Sequence, residues 1–197
     1  MPKVSRYHPA LVALHWTLAV LIIAALVFGS IAMVKIPNSD PVKLVALRSH
    51  MIAGVSILAL MLLRLVVRTL TTHPVPATTG NPVLDRLAWA SHRIFYFAVL
   101  AMAGSGVFMA LQTELPFIVF NQHGVLPADF WAFPARTVHF VISRALMALI
   151  ALHVAAAFFH ALILRDGLFG RILFGRRVIA SAGPTSISER TLSRMRP

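Results

Sequence analysis

Four apolar stretches, each long enough to cross a bilayer, constrain this chain more than any other feature. Hydrocarbon about 30 Å thick takes about 20 helical residues, and such stretches lie near residues 9–34, 43–70, 84–111 and 135–164. In lipid the backbone must satisfy its own hydrogen bonds, so these stretches read as helices and not as open strands. Composition agrees: of 197 residues, 58% are hydrophobic and 12% charged, with a mean hydropathy of +0.81. A soluble fold of this length would leave too much of that surface in water. The expected fold is therefore all-α, a four-transmembrane-helix bundle. Pro37 and Pro41 punctuate the first connection, and Pro74, Pro76 and Pro82 the second. Residues 1–176 form the membrane domain, and residues 177–197 read as a basic, disordered tail.

Lys and Arg number 18 against 6 Asp and Glu, a net charge of +12. The arginines flank apolar segments instead of forming a stripe on a soluble face, which speaks against a nucleic-acid partner and for contact with lipid headgroups. One side carries Lys3, Arg6, Arg64, Arg68, Arg86, Arg93 and the tail arginines. The other carries Lys35, Lys43, Arg48 and Arg136, diluted by Asp40, Glu114 and Asp129. By the positive-inside rule both termini are cytoplasmic, and in a bacterial inner membrane residues 112–134 are a periplasmic loop. Its Phe117, Phe120, Phe130, Trp131 and Phe133 suit either an aromatic lid or an ordinary interfacial belt. The first apolar run is too long for a cleavable signal peptide.

Cysteine is absent, so this chain has no disulfides, thiolate clusters or covalently attached haem. Histidines remain the main metal-ligand candidates, and an intramembrane histidine needs a partner. His15, His50, His139 and His153 fall inside spans. His139 and His153 are 14 residues apart, about 21 Å along a helix and on one face to within about 40°. One helix thus offers two imidazoles near opposite membrane surfaces. Counting depth from the span ends pairs His50 with His139 on the periplasmic side and His15 with His153 on the cytoplasmic side. Haem iron takes axial imidazole nitrogen, so the expectation is two b haems. The alternative is four unrelated packing histidines bonded to carbonyls; zinc or di-iron is weaker, since no acidic residue lies in the interior of a span.

By depth alone His160 rivals His153. His8, His73 and His123 read as surface residues. His92 and His160 read either as structural groups or as the lining of a cytoplasmic quinone pocket. Arg144, inside the fourth span, reads as a buried cation that needs an anion, and Arg48, Arg136 and Arg144 are candidate contacts for haem propionates. Arg64 and Arg68 suit snorkelling. Gly54 and Ala155–Ala157 leave room for a flat macrocycle.

Ser5-Arg6-Tyr7 before His15-Trp16, Arg48-Ser49-His50 with Gly54, Leu63-Arg64-Leu65 with Arg68, Ser91-His92, and Leu152-His153-Val154-Ala155-Ala156 leading to His160 together resemble the bacterial cytochrome b561 family, across residues 3–176. That resemblance implies axial histidines at His15, His50, His139 and His153. Some members of similar length resemble superoxide:ubiquinone oxidoreductases, which implies oxidation of periplasmic superoxide and reduction of ubiquinone in a respiratory chain. The other reading is an electron-transfer anchor for a separate dehydrogenase or periplasmic redox protein.

Overall fold

A computed structural model describes residues 3–75, 80–121 and 124–180. Four helices are long and apolar enough to cross a membrane: α1 (Pro9–Lys35), α2 (Val42–Leu70), α3 (Pro82–Gln112) and α5 (Pro134–Leu164), with the short α4 (Leu115–Asn121) before the last. The spans agree with the sequence reading to within about two residues. Three begin with proline in the first turn, where the missing N–H costs nothing. The Asn81 side chain accepts from Val83 N at 2.9 Å. His8, read as a surface residue, instead caps α1 by accepting from Ala10 N at 3.2 Å.

In packing order α1 lies on α2, α2 on α3, and α3 on α5, while α4 rests on α2 and α3. The central core is Leu18, Leu26, Ile57, Met61, Val99 and Leu146, drawn from all four spans. Most other large apolar side chains, such as Val20, Val55, Phe97 and Leu152, point outward, as expected where the surrounding solvent is hydrocarbon.

At the end bearing α4, a second cluster joins Leu47 and Ala110 to Leu115 and Val119. Of the lid aromatics Phe130 packs against this cluster, with the aliphatic Leu115, Ile118 and Val119 buried, whereas Phe117 and Phe120 are exposed. Helical spacing explains it, because 115, 118 and 119 share a face that 117 and 120 do not. Here Lys43 is buried and donates to Met33 O at 2.7 Å and Ile36 O at 2.9 Å. Its ammonium adds a charged donor to these carbonyls at the negative C-terminal end of α1.

The first and last described segments meet at the opposite end of the bundle. Lys3–Val4 and Ile179–Ala180 pair as antiparallel strands β1 and β2. Arg177 Nε donates to Arg6 O at 3.1 Å, and its Nη2 to Thr72 O at 2.9 Å. Arg171 Nη1 donates to Val75 O at 2.7 Å. Residues 177–180, read as tail, are thus clasped to the membrane domain; residues 181–197 and His123 lie outside the described residues. His73, also read as a surface residue, meets the Tyr7 ring at 6.0 Å, and burial first, then Arg68 and Arg177, hold its pKa below the ordinary value. The expected consequence of the Lys43 cap is that Lys43→Met destabilises the protein by about 1.5–3 kcal/mol. Thermal unfolding in detergent checks this, with Lys35→Met as the exposed control expected to change little.

Candidate functional site

The 14-residue offset noted for α5 recurs in every span: His15 and Gly29 in α1, His50 and Arg64 in α2, His92 and Gly106 in α3, His139 and His153 in α5. Antiparallel packing sorts these eight residues into two layers about 21 Å apart. Gly29, His50, Gly106 and His139 belong to the α4 end; His15, Arg64, His92 and His153 belong to the terminal end. All six central core residues fall within these intervals, so an apolar plug separates the layers.

At the α4 end the rings of His50 and His139 lie 6.2 Å apart, centroid to centroid. Ring nitrogens at about 2 Å on opposite sides of one metal require a separation of about 6 Å. Glycine leaves close room beside both rings: a Cβ on Gly29 would stand 3.2 Å from His50 Cε1, and one on Gly106 3.3 Å from His139 Cε1, so either ring would have to give by a few tenths of an ångström. Gly29 also sits in a π-helical turn, Phe28–Ala32, a distortion common at functional sites. His50 Nδ1 is buried without a hydrogen-bond partner, whereas His139 Nδ1 meets Ser105 Oγ at 3.0 Å. At Gly54 an added Cβ would meet only open space.

The terminal-end layer holds three imidazoles. His153 contacts the His92 ring at 5.9 Å and the Phe95 ring at 5.1 Å. His15 lies in electrostatic range of His153, His92 and Arg64, but its ring contact is with Trp16 at 5.3 Å. Trp16 Nε1 donates to Ile172 O at 3.0 Å, which ties the clasp to this layer. Arg64, expected to snorkel, turns inward and donates to Leu11 O at 3.2 Å and Tyr96 OH at 3.1 Å. His92 Nδ1 meets Ala88 O at 2.7 Å; a carbonyl only accepts, so His92 is protonated on Nδ1 and offers a bare Nε2.

His160 lies in a second π-helical turn, Phe159–Leu164. Its Nδ1 meets Asp166 Oδ2 at 2.6 Å. Burial works to raise the pKa of Asp166. Hydrogen bonds from His160 and from Leu168 N–H, with the charges of His160 and Arg171, more than offset this and hold the carboxyl below the usual carboxylate range. Stability from this pair is therefore present at neutral pH and is lost as pH falls through that lowered value.

The three candidate anion-binding arginines differ. Arg136 is half-buried, stacks on Trp131 at 4.4 Å and lies in electrostatic range of His50 and His139. Arg48 Nε donates to Val119 O at 3.2 Å, which pins the lid. Arg144, read as buried, is exposed, with its guanidinium 4.8 Å from the Phe140 ring centre and 3.9 Å from Met147 Sδ. Five residues after His139 is a rotation of about 140°, so Arg144 leaves the histidine face. Sequence reasoning missed Gly29, Gly106, Ser105 and Asp166; the 14-residue offset, extended from α5 to the other spans, would have found both glycines.

No group of three or more His, Cys, Asp or Glu side chains among the described residues could hold a metal ion. Two facing imidazoles without further protein ligands could hold a metal whose remaining positions a planar macrocycle fills, so the residues present fit haem. No curated protein matches the chain. The family model for prokaryotic cytochrome b561 matches residues 6–175, which span both histidine layers and all four membrane helices. The chain belongs to the prokaryotic cytochrome b561 family, and is a multi-pass membrane electron-transfer protein of the b-haem type.

Proposed function

We propose that the chain binds two b haems, one between His50 and His139 and one between His15 and His153, and moves electrons across a bacterial inner membrane from periplasmic superoxide to ubiquinone. The observation that carries this reading is the pair of histidine layers, about 21 Å apart and separated by the apolar core. When bound, haem b supplies a one-electron carrier at each layer. The arginine-rich terminal end is the cytoplasmic one in this reading, so both termini are cytoplasmic.

The chain's own groups divide the remaining work. His50 and His139 hold the α4-end group, and Gly29 and Gly106 keep its imidazoles free of side chains. Arg136 is the best-placed propionate contact there, with Arg48 engaged by the lid and Arg144 on the outer face. Lys43 and Arg136 lie in electrostatic range of each other and give the periplasmic mouth a local positive field, which favours an anionic radical. At the cytoplasmic end, His160 Nε2 and His92 Nε2 are the atoms offered to a quinone. The Asp166 carboxylate accepts from His160 Nδ1 and so fixes which ring nitrogen carries the proton. Quinone reduction takes two electrons and two protons, so groups that hold protons belong beside it.

Three outcomes are expected. His15→Ala and His153→Ala each remove the same haem, leaving the other, while His92→Ala retains both. Reduced-minus-oxidised spectra of the purified variants check this; if His92→Ala removes the haem that His153→Ala removes, and His15→Ala does not, the His92–His153 ring contact marks the true pair. Gly29→Val and Gly106→Val crowd their imidazoles, cost about 1–3 kcal/mol and diminish only the His50/His139 haem signal. Stopped-flow mixing with superoxide reduces the haems quickly, and added ubiquinone reoxidises them. Inertness towards superoxide would reassign the chain to serving a separate redox partner.

A further inference from the structure

Among the described residues, Ser105 is the side chain hydrogen-bonded to His139. Its Oγ lies 2.9 Å from Met102 O and 3.0 Å from His139 Nδ1. One arrangement of protons satisfies all three groups. The Met102 carbonyl can only accept, so the serine hydroxyl donates to it. With Nε2 given to the metal in the axial role proposed above, His139 carries its proton on Nδ1 and the serine oxygen accepts it. The contrast with the facing ligand is sharp, because His50 Nδ1 is buried with no partner.

Ser105 lines a groove of about 450 Å³ between α3 and α5, otherwise formed by apolar residues and glycine, among them Ala101, Gly104, Phe108, Val138 and Ile142. In such a groove an apolar residue would suit the hydrocarbon surroundings better. The hydroxyl is therefore placed for what it does to the imidazole.

We propose that Ser105 is a positioning residue that orients His139, fixes its tautomer and lowers the reduction potential of the haem at the α4 end alone. The inference rests on the axial role given to His139 above. A hydrogen bond accepted from Nδ1–H makes the ring a more basic ligand, and a more basic ligand favours the oxidised iron. The haem of the terminal-end layer lies about 21 Å away and does not feel this bond. Loss of the hydroxyl leaves the Met102 carbonyl, already close to His139, as a direct acceptor that the ring must move to use, which sets an upper bound on the effect.

The test is redox titration of both haems in the purified holoprotein, with low-spin electron paramagnetic resonance to report ligand geometry. Ser105→Ala and the near-isosteric, poorly accepting Ser105→Cys are expected to raise the potential of one haem by up to about tenfold in its one-electron reduction equilibrium, about 59 mV. Ser105→Thr, which keeps a hydroxyl, restores it. The affected haem is the one that His139→Ala removes. Unchanged potentials in Ser105→Ala, or equal shifts of both haems, overturn the proposal while leaving the axial role standing. Retention of both haems in His139→Ala overturns the axial role, and the proposal with it.

Discussion

The cost of burying imidazole in a hydrocarbon-embedded bundle is the constraint on which the rest depends. A ring nitrogen left without a partner inside a membrane is unfavourable by several kcal/mol, so each intramembrane histidine has to be matched. The chain answers with a spacing. Fourteen residues is close to four helical turns, and four helices that share it present two levels of chemistry with an apolar plug between. The partners differ in kind: Ser105 for His139, backbone for His92, Asp166 for His160, and an open valence at His50. The His50 ring nevertheless faces a second imidazole at 6.2 Å, a separation that a metal between the rings would fill.

Much of this was legible in the sequence. The four spans came from apolar length alone, because in lipid no other secondary structure of that length is available. Family and fold were readable from the histidine motifs, and the depth of His50 and His139 anticipated their contact. Other features were hidden for physical reasons. Gly29 and Gly106 look like ordinary small residues until the facing imidazoles are in place. Asp166 lies past the end of its span and gains meaning only when the π-helical turn brings His160 back towards it. Arg144 was misjudged because an arginine inside a span invites burial, although its rotation from His139 already placed it on the outer face.

The bundle is finished differently at its two ends. At one, Lys43 and Arg48 spend their hydrogen bonds on backbone carbonyls of α1 and α4, fixing the lid above His50 and His139. At the other, Arg6, Arg171 and Arg177 stitch the first and last described segments and the α2–α3 connection together. Arg177 and β2 lie beyond the matched family region, which ends at residue 175. The clasp reaches Trp16, next to His15, so it supports the terminal-end layer from beyond the end of the last span.

The central claim is two haem sites, one per histidine layer. Its most direct measurement is the haem content of the purified chain, by extraction and quantitation against protein mass, together with the reduced-minus-oxidised spectrum. The account predicts about two non-covalent b haems per chain, both low-spin with two imidazole ligands. A single haem per chain, or a colourless protein that takes up none on reconstitution, would contradict it.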